Sequence, residues 1–355
     1  MTTDKDKPHD NRHDNRHDNR QISSASAASA YANLALVKYF GKRDLRYNLP
    51  AAPSLSISLE PLLTETRVRF DAKQTEDTVY LSGARASAAF EARVGRFLSK
   101  VRSLAGFSGS ATVETVNHFP TAAGLASSAS GFAALALAAS KALGLSLSEQ
   151  ELSALARLGS GSAARSIPGG ICVWQAGEKP DGSDSFAYRI ADPADFPMRV
   201  VVGVTDPGPK AVGSTEAMEH TRHTSPYYED WIAAVQRDLD AAVKAVTARD
   251  LEQLGQIAED NALAMHAAAL AARPGILFWN GITVEGLHLV RRLRKQGLLA
   301  YFTCDAGPQP KVLCAEADEP KIAEALAALP GVHSIIRCRL GGGARLLGAE
   351  TQKAI

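Results

Sequence analysis

The chain has 355 residues, 45% of them apolar and 22% charged, with a formal net charge of +1. That balance suits a globular protein with length for about two domains. It argues against a nucleic-acid partner or a charged membrane surface, and no apolar run approaches the roughly 20 residues of a spanning helix.

The N-terminus is polar and lacks the apolar core of a secretory signal. "HDNRHDNRHDNR", His9 to Arg20, repeats one tetrapeptide with balanced charges and nothing to bury. Its histidine spacing invites a metal reading, but a flexible tail seldom builds a fixed site. Disorder is expected for residues 1–28. The four cysteines, Cys172, Cys304, Cys314 and Cys338, show no paired spacing and read as free thiols of a cytoplasmic protein.

"ANLALVKYF" (Ala32 to Phe40) predicts a strand ending in polar residues. "SLSISLE" (Ser54 to Glu60) alternates as a half-buried strand does. "ETRVRF" and "DTVYLSG" read as a further strand pair. A helix is expected over Arg85–Ala105, then the strand "SATVETVNHF" and a helix over Ser127–Leu143. "SLSEQELSALARL" opens on a serine cap and an acidic first turn, so a helix should run to Leu158. "GGICVWQAG" and "SFAYRIA" suggest another strand pair.

After the turn cluster "ADPADFP" comes the buried strand "MRVVVGVTD". Helices follow at Thr215–Glu219, Tyr228–Thr247 and Leu251–Leu270. "TVEGLHLVRRLRKQG" ends in cations and glycine, as a helix C-terminus should. Strand, strand, helix and strand complete the chain. With adjacent helices collapsed the order is β-α-β-β-α-β, that of a ferredoxin-like sandwich. The expectation is an α+β protein of two domains, 29–195 and 196–355.

Four stretches could carry chemistry. "NHFPTAAGLASSASGFAAL" puts small residues ahead of a long helix, where backbone N–H groups and the helix dipole make an anion site. "VKYFGKRD" gathers cations where a strand ends. "GSGSAARS" offers small donors and the fork of Arg165. "CDAGPQPK" places Asp305 at the end of a buried strand. Each alone also fits an ordinary helix start, solvated turn or loop. Jointly they supply a phosphate loop, cations, a forked arginine and one carboxylate, an inventory suited to phosphoryl transfer.

In their chain order the four stretches resemble the GHMP family of small-molecule kinases, and within it the diphosphomevalonate decarboxylase branch. "GSTEAMEHTRHTS" and "DGSDSFA" match in order too, so the likeness covers Tyr31 to Leu347. It implies a two-domain GHMP kinase fold, with an N-terminal domain like ribosomal protein S5 domain 2 and a ferredoxin-like C-terminal domain. It also implies ATP, Mg²⁺, a homodimer and a reaction. Mevalonate 5-diphosphate is phosphorylated on its 3-hydroxyl, then loses phosphate and CO₂ to give isopentenyl diphosphate.

The resemblance assigns roles as well. Asp305 would deprotonate or orient the 3-hydroxyl, with Lys38 beside it keeping the carboxylate ionised. Arg165 would clamp the substrate carboxylate. Tyr39, Lys42, Ser160 and Ser162 would hold the diphosphate, and Ser214, Thr215 and Met218 would line the pocket. Pro120, Ala123, Gly124, Leu125, Ser127 and Ser128 would bind the ATP phosphates, with the Ser128 hydroxyl near Mg²⁺.

Phe40 stands where many members have Trp, and Ala164 where Cys is common. Ala217 and Pro168 also depart from the family pattern and bear on pocket shape. The nearest rivals are a mevalonate 5-phosphate decarboxylase and a mevalonate 3-kinase of the same branch. A kinase alone would be expected to lack the Asp305, Lys38 and Arg165 set. A non-catalytic ligand-binding relative would be expected to lose the carboxylate or the phosphate loop.

Overall fold

The structure, a computed structural model, describes residues 24–119, 127–206, 208 and 212–348. The histidine-bearing repeat lies outside these residues. Strand β1 (Ser24–Val37) opens inside the stretch expected to be disordered. "SASAASA" lacks large apolar groups, but Ala27, Ala28 and Ala30 are buried. Small side chains let a helix settle closely on the strand, so the segment is a sheet member with little hydrophobic signature.

A short hairpin, β2 (Lys42–Asp44) and β3 (Leu49–Pro50), was not signalled by the sequence. Strand β4 (Ser54–Asp71) is one long strand, fusing the "SLSISLE" and "ETRVRF" segments. Its first half is buried on both faces rather than half-buried, for Ser54, Ser56 and Ser58 are 0% exposed. Ser54 Oγ accepts from Arg165 and Ser56 Oγ lies 3.3 Å from Cys172 Sγ, while Ser58 Oγ has no hydrogen-bond partner among the described residues.

Strand β5 (Thr78–Leu81) and its neighbour β6 (Ala84–Arg85) precede helix α1 (Ala88–Ala105) and strand β7 (Ser110–Asn117). The expected pairing of "ETRVRF" with "DTVYLSG" is not found. β7 inserts between them, antiparallel to β4 and parallel to β5. Parallel pairing needs a crossover, which α1 provides.

Helices α2 (Ser127–Ala142) and α3 (Glu149–Gly159) follow as expected, α3 with a Ser148–Glu151 capping box. "GSGSAARS", read as a loop, contains the one-turn helix α4 (Ala163–Ser166). Strands β8 (Ile171–Trp174) and β9 (Ala187–Ala191) pair antiparallel, as expected.

The second half holds β10 (Met198–Val204), α5 (Ser214–Thr224), α6 (Tyr228–Thr247), α7 (Leu251–Leu270) and α8 (Gly281–Lys295). Strands β11 (Ala300–Thr303) and β12 (Lys311–Ala315), helix α9 (Glu319–Ala327) and strands β13 (Ser334–Leu340) and β14 (Arg345–Leu346) complete it. α5 runs past the expected Glu219 to Thr224. The strand order β11-β12-β10-β13, antiparallel throughout, is that of a ferredoxin-like sheet.

The halves are joined through hydrogen bonds between β13 and β4, where Leu340 faces Leu59. One buried cluster draws Leu34 and Leu36 from β1 together with Val200, Val202 and Met265. At this junction the end of β1, the start of α2, α4 and the loop after β11 converge.

Candidate active site

The junction holds a cleft of about 1210 Å³. Every described residue singled out from the sequence lines it: Asp305, Lys38, Arg165, Tyr39, Lys42, Ser160, Ser162, Ser214, Thr215, Met218, Ser127 and Ser128. Pro120, Ala123, Gly124 and Leu125 lie outside the described residues.

Lys38 follows β1 directly. The pairing of β1 with β4 shifts register on either side of Asn33 and Ala35. Such irregularities re-aim side chains beside functional sites. Lys38 Nζ donates to Asp305 Oδ1 at 2.9 Å and to the Ala35 carbonyl at 2.8 Å. The Lys38 backbone N–H donates to Asn261 Oδ1 at 2.8 Å, and Asn261 in turn donates to Asp238. This buried lysine is therefore fixed at both ends. Burial pulls its pKa below the ordinary lysine value, while the Asp305 charge opposes that shift.

Asp305 sits in a tight turn, with the Gly307 N–H donating to its carbonyl at 2.7 Å. The loop beyond is pinned by Thr205 and Thr283, which both donate to the Pro308 carbonyl, and by Gln309, which accepts from the Thr205 backbone N–H. A turn-forming aspartate would suit this backbone too, but the lysine contact goes beyond what a turn requires.

Arg165 is only 3% exposed. Its Nε donates to Asn33 Oδ1 at 3.2 Å and its Nη1 to Ser54 Oγ at 2.7 Å. The guanidinium lies 5.7 Å from the ring centroids of both Tyr39 and Trp174. Burial lowers its pKa, opposed by the Cys172, Asp305 and Tyr39 groups. Among the described residues no carboxylate forms an ion pair with it. A buried cation held by neutral groups is costly, and an incoming carboxylate would offset that cost.

The serines cluster nearby: Ser128 Oγ is 3.3 Å from Ser160 Oγ, which is 3.4 Å from Ser162 Oγ. Gly159 and Gly161 are needed for close approach. A Cβ on Gly161 would fall 2.5 Å from the Tyr39 hydroxyl, and one on Gly159 2.0 Å from the Phe132 ring. Lys42 Nζ donates to Asn48 Oδ1 at 2.7 Å and to Thr215 Oγ1 at 3.1 Å, tying the hairpin to α5. Burial lowers its pKa, with the Arg93 charge acting in the same direction.

The described lining carries seven cations against three carboxylates, Glu216, Glu219 and Asp305. The net positive wall suits polyanionic ligands. Three of the cations, Arg93, Arg96 and Lys100, come from one face of α1 and were not picked out from the sequence. Their i, i+3, i+7 spacing was a readable signal. Asn33 was also missed; a polar amide inside the apolar run "ANLALV" could have marked it. It donates to the Ser162 carbonyl and to Ser166 Oγ, binding β1 to α4.

Of the departures from the family pattern, Phe40 borders the cleft. Phe40 packs edge-on against Trp231 and Phe278. Ala217 and Ala164 are wholly buried. The Pro168 carbonyl accepts from Arg189, and a Cβ on Gly343 would press on it. Ala164, Pro168 and Ala217 are not among the residues that line the cleft.

Residues 30–187 match the diphosphomevalonate decarboxylase-like N-terminal domain, and residues 200–343 match the mevalonate 5-diphosphate decarboxylase C-terminal domain. The diphosphomevalonate decarboxylase of Eremothecium gossypii is 35% identical over 332 residues, 87% of this chain and 82% of the relative. The human diphosphomevalonate decarboxylase is 34% identical over 326 residues, 86% of this chain and 80% of the relative. Among solved structures, a complex of MDDEF with MVAPP, AMPPCP and magnesium is 39% identical with a TM-score of 0.86, covering 92% of this chain and 99% of that one. Mevalonate diphosphate decarboxylase from Staphylococcus aureus is 35% identical with a TM-score of 0.87, covering 92% and 98%. The chain belongs to the diphosphomevalonate decarboxylase family.

Proposed function

We propose that the cleft carries out ATP-dependent decarboxylation of mevalonate 5-diphosphate to isopentenyl diphosphate, CO₂, ADP and phosphate. The observation that carries this reading is the buried Arg165 guanidinium, with no carboxylate partner among the described residues, in the same cleft as the Lys38–Asp305 pair. The substrate carboxylate would pair with that guanidinium.

Asp305 accepts the proton of the 3-hydroxyl, or orients it, as its oxygen bonds to the γ-phosphorus and the bond to ADP breaks. Lys38 holds the Asp305 carboxylate in place. The C3–O bond then breaks, with phosphate leaving on its electron pair. The bond between the carboxylate carbon and C2 breaks as CO₂ departs, and its electrons become the new double bond. The tertiary carbon tolerates the developing positive charge. Arg165 aims the carboxylate along this path.

Tyr39, Lys42, Ser160 and Ser162 bind the diphosphate. Ser214, Thr215 and Met218 border the substrate. The start of α2, through Ser127 and Ser128, faces the nucleotide phosphates. Among the described residues no group of three or more His, Cys, Asp or Glu side chains could hold a metal ion. That fits Mg²⁺ arriving on the nucleotide, with the Ser128 hydroxyl near it, since this ion keeps several waters and binds largely through phosphates. When bound it neutralises phosphate charge.

The four buried free cysteines favour a cytoplasmic setting, and no helix among the described residues is long and apolar enough to cross a membrane. A homodimer and a domain limit near residue 195 remain part of this proposal. The deciding assay supplies ATP with mevalonate 5-diphosphate or 5-phosphate and follows ADP and CO₂ separately. Both products from the diphosphate are expected. ADP without CO₂ would indicate a 3-kinase, and products from the monophosphate alone would indicate the other decarboxylase.

A further inference from the structure

The Lys38–Asp305 contact leaves the second carboxylate oxygen to be explained. Lys311, the first residue of β12, reaches Asp305 Oδ2 at 3.4 Å. Its side chain is 4% exposed, and it is not among the residues lining the cleft. Among the described residues Asp305 therefore meets two ammonium groups, from two directions. Lys38 comes from the end of β1 on the cleft side, and Lys311 comes from the sheet behind. A lysine in the buried run "PKVLCA" has no obvious packing purpose, because an aliphatic residue would fill a strand start without a charge to desolvate.

Other groups face the same carboxylate. Arg165 on α4 is close enough for Asp305 to act on its charge. His266 on α7 stays neutral, its pKa pushed down to about 3 by burial and by the Lys38 charge. Cys304, the neighbour in sequence, is held as a thiol, pushed up to about 11 by burial. Neither His266 nor Cys304 brings a positive charge near neutral pH. Among the described residues, the cation that forms an ion pair with Oδ2 is Lys311.

We propose that Lys311 is a positioning residue for the reaction: from behind the cleft it holds Asp305 Oδ2, fixing the carboxylate's orientation and ionisation while Lys38 holds Oδ1. Lys311 touches no substrate under this proposal, so it acts through Asp305 alone. The inference rests on the decarboxylase reading for its kinetic consequence. Its electrostatic consequence does not depend on that reading.

The test uses the full chain and the variants Lys311→Met and Lys311→Arg. A carbon-13 NMR titration of the aspartate carboxyls, with the Asp305 signal assigned through Asp305→Asn, reads the contact without any substrate. Removing one ammonium should raise the Asp305 titration midpoint in Lys311→Met by about 1 pH unit, and Lys311→Arg should restore it. With ATP and mevalonate 5-diphosphate, kcat of Lys311→Met should fall about tenfold at neutral pH and KM should stay within about twofold, because the residue works through another. The acid limb of kcat should move up with the NMR midpoint. An unmoved midpoint overturns the proposal, and so does a moved midpoint with unchanged kcat. If Lys311→Met fails to fold, Lys311→Gln is read in its place: a raised midpoint with a lowered kcat supports the proposal, and an unmoved midpoint refutes it. Absence of turnover in the wild type would instead remove the functional reading, and the titration would still decide whether Lys311 holds the carboxylate.

Discussion

The two walls of the cleft use positive charge differently. On the inner wall Lys38 and Arg165 are 2% and 3% exposed, and each is fixed by named partners. On the outer wall Arg46, Arg96 and Lys100 are exposed. A desolvated cation interacts strongly over a few ångströms and is costly to misplace. A solvated one acts weakly and is screened over roughly 8–10 Å. The inner wall is thus built to orient reacting groups, and the outer wall to attract a polyanion.

Substitutions at the inner wall should have the larger effects. Asp305→Asn keeps the shape but removes the proton acceptor. It should cost about 10²–10⁴ in kcat, with the substrate dissociation constant within about threefold by calorimetry. Wild-type-like turnover would remove the assigned role. Arg165→Lys loses the planar fork and its stacking between Tyr39 and Trp174. A fall of about 10–100-fold in kcat/KM is expected in steady-state assays, and an unchanged value would count against the clamp.

Stability offers a sharper contrast, because the inner wall rests on a buried histidine. Trp279 Nε1, which can only donate, lies 3.2 Å from His266 Nε2, and the Cys304 carbonyl lies 3.4 Å from the same nitrogen. The unfolded chain takes up a proton near pH 6.5, and the folded one only near pH 3. Between these values the unfolded state binds more protons, so stability is full above pH 6.5 and falls as pH drops toward 3. Relative to His266→Gln, the wild type should lose roughly 3 kcal/mol between pH 7 and pH 4 by urea unfolding. Parallel pH profiles for the two proteins would contradict the buried neutral ring.

At the outer wall the expected changes are smallest. Arg96→Gln with Lys100→Gln should raise KM for the anionic substrates about twofold to fivefold at low salt, and the difference should shrink in about 0.5 M salt. An effect on kcat as large as that of Arg165→Lys would erase the distinction between the walls.

The same contrast explains what could be read from the sequence. The ferredoxin-like half was legible because its strands are apolar runs and its helices are long, periodic and capped. The site residues were legible where small or charged residues cluster at an element's end, as with Lys38, Ser160, Arg165 and Asp305. β1 was cut short because alanine and serine carry almost no hydrophobic period. The long β4 was split at Pro61, and its pairing was misassigned because strand neighbours are set by the α1 crossover rather than by local pattern. Lys311 and Asn33 escaped notice because each is a single polar residue inside an apolar run, and its meaning comes from a partner far along the chain.

The division of labour within the inner wall is tested most directly by measuring ADP and CO₂ together, in one reaction, for wild type, Asp305→Asn and Arg165→Lys. Equal amounts are expected from the wild type, a joint loss of both from Asp305→Asn, and ADP in excess of CO₂ from Arg165→Lys. Strict equality at wild-type rate in Arg165→Lys, or undiminished release of both products by Asp305→Asn, would contradict it.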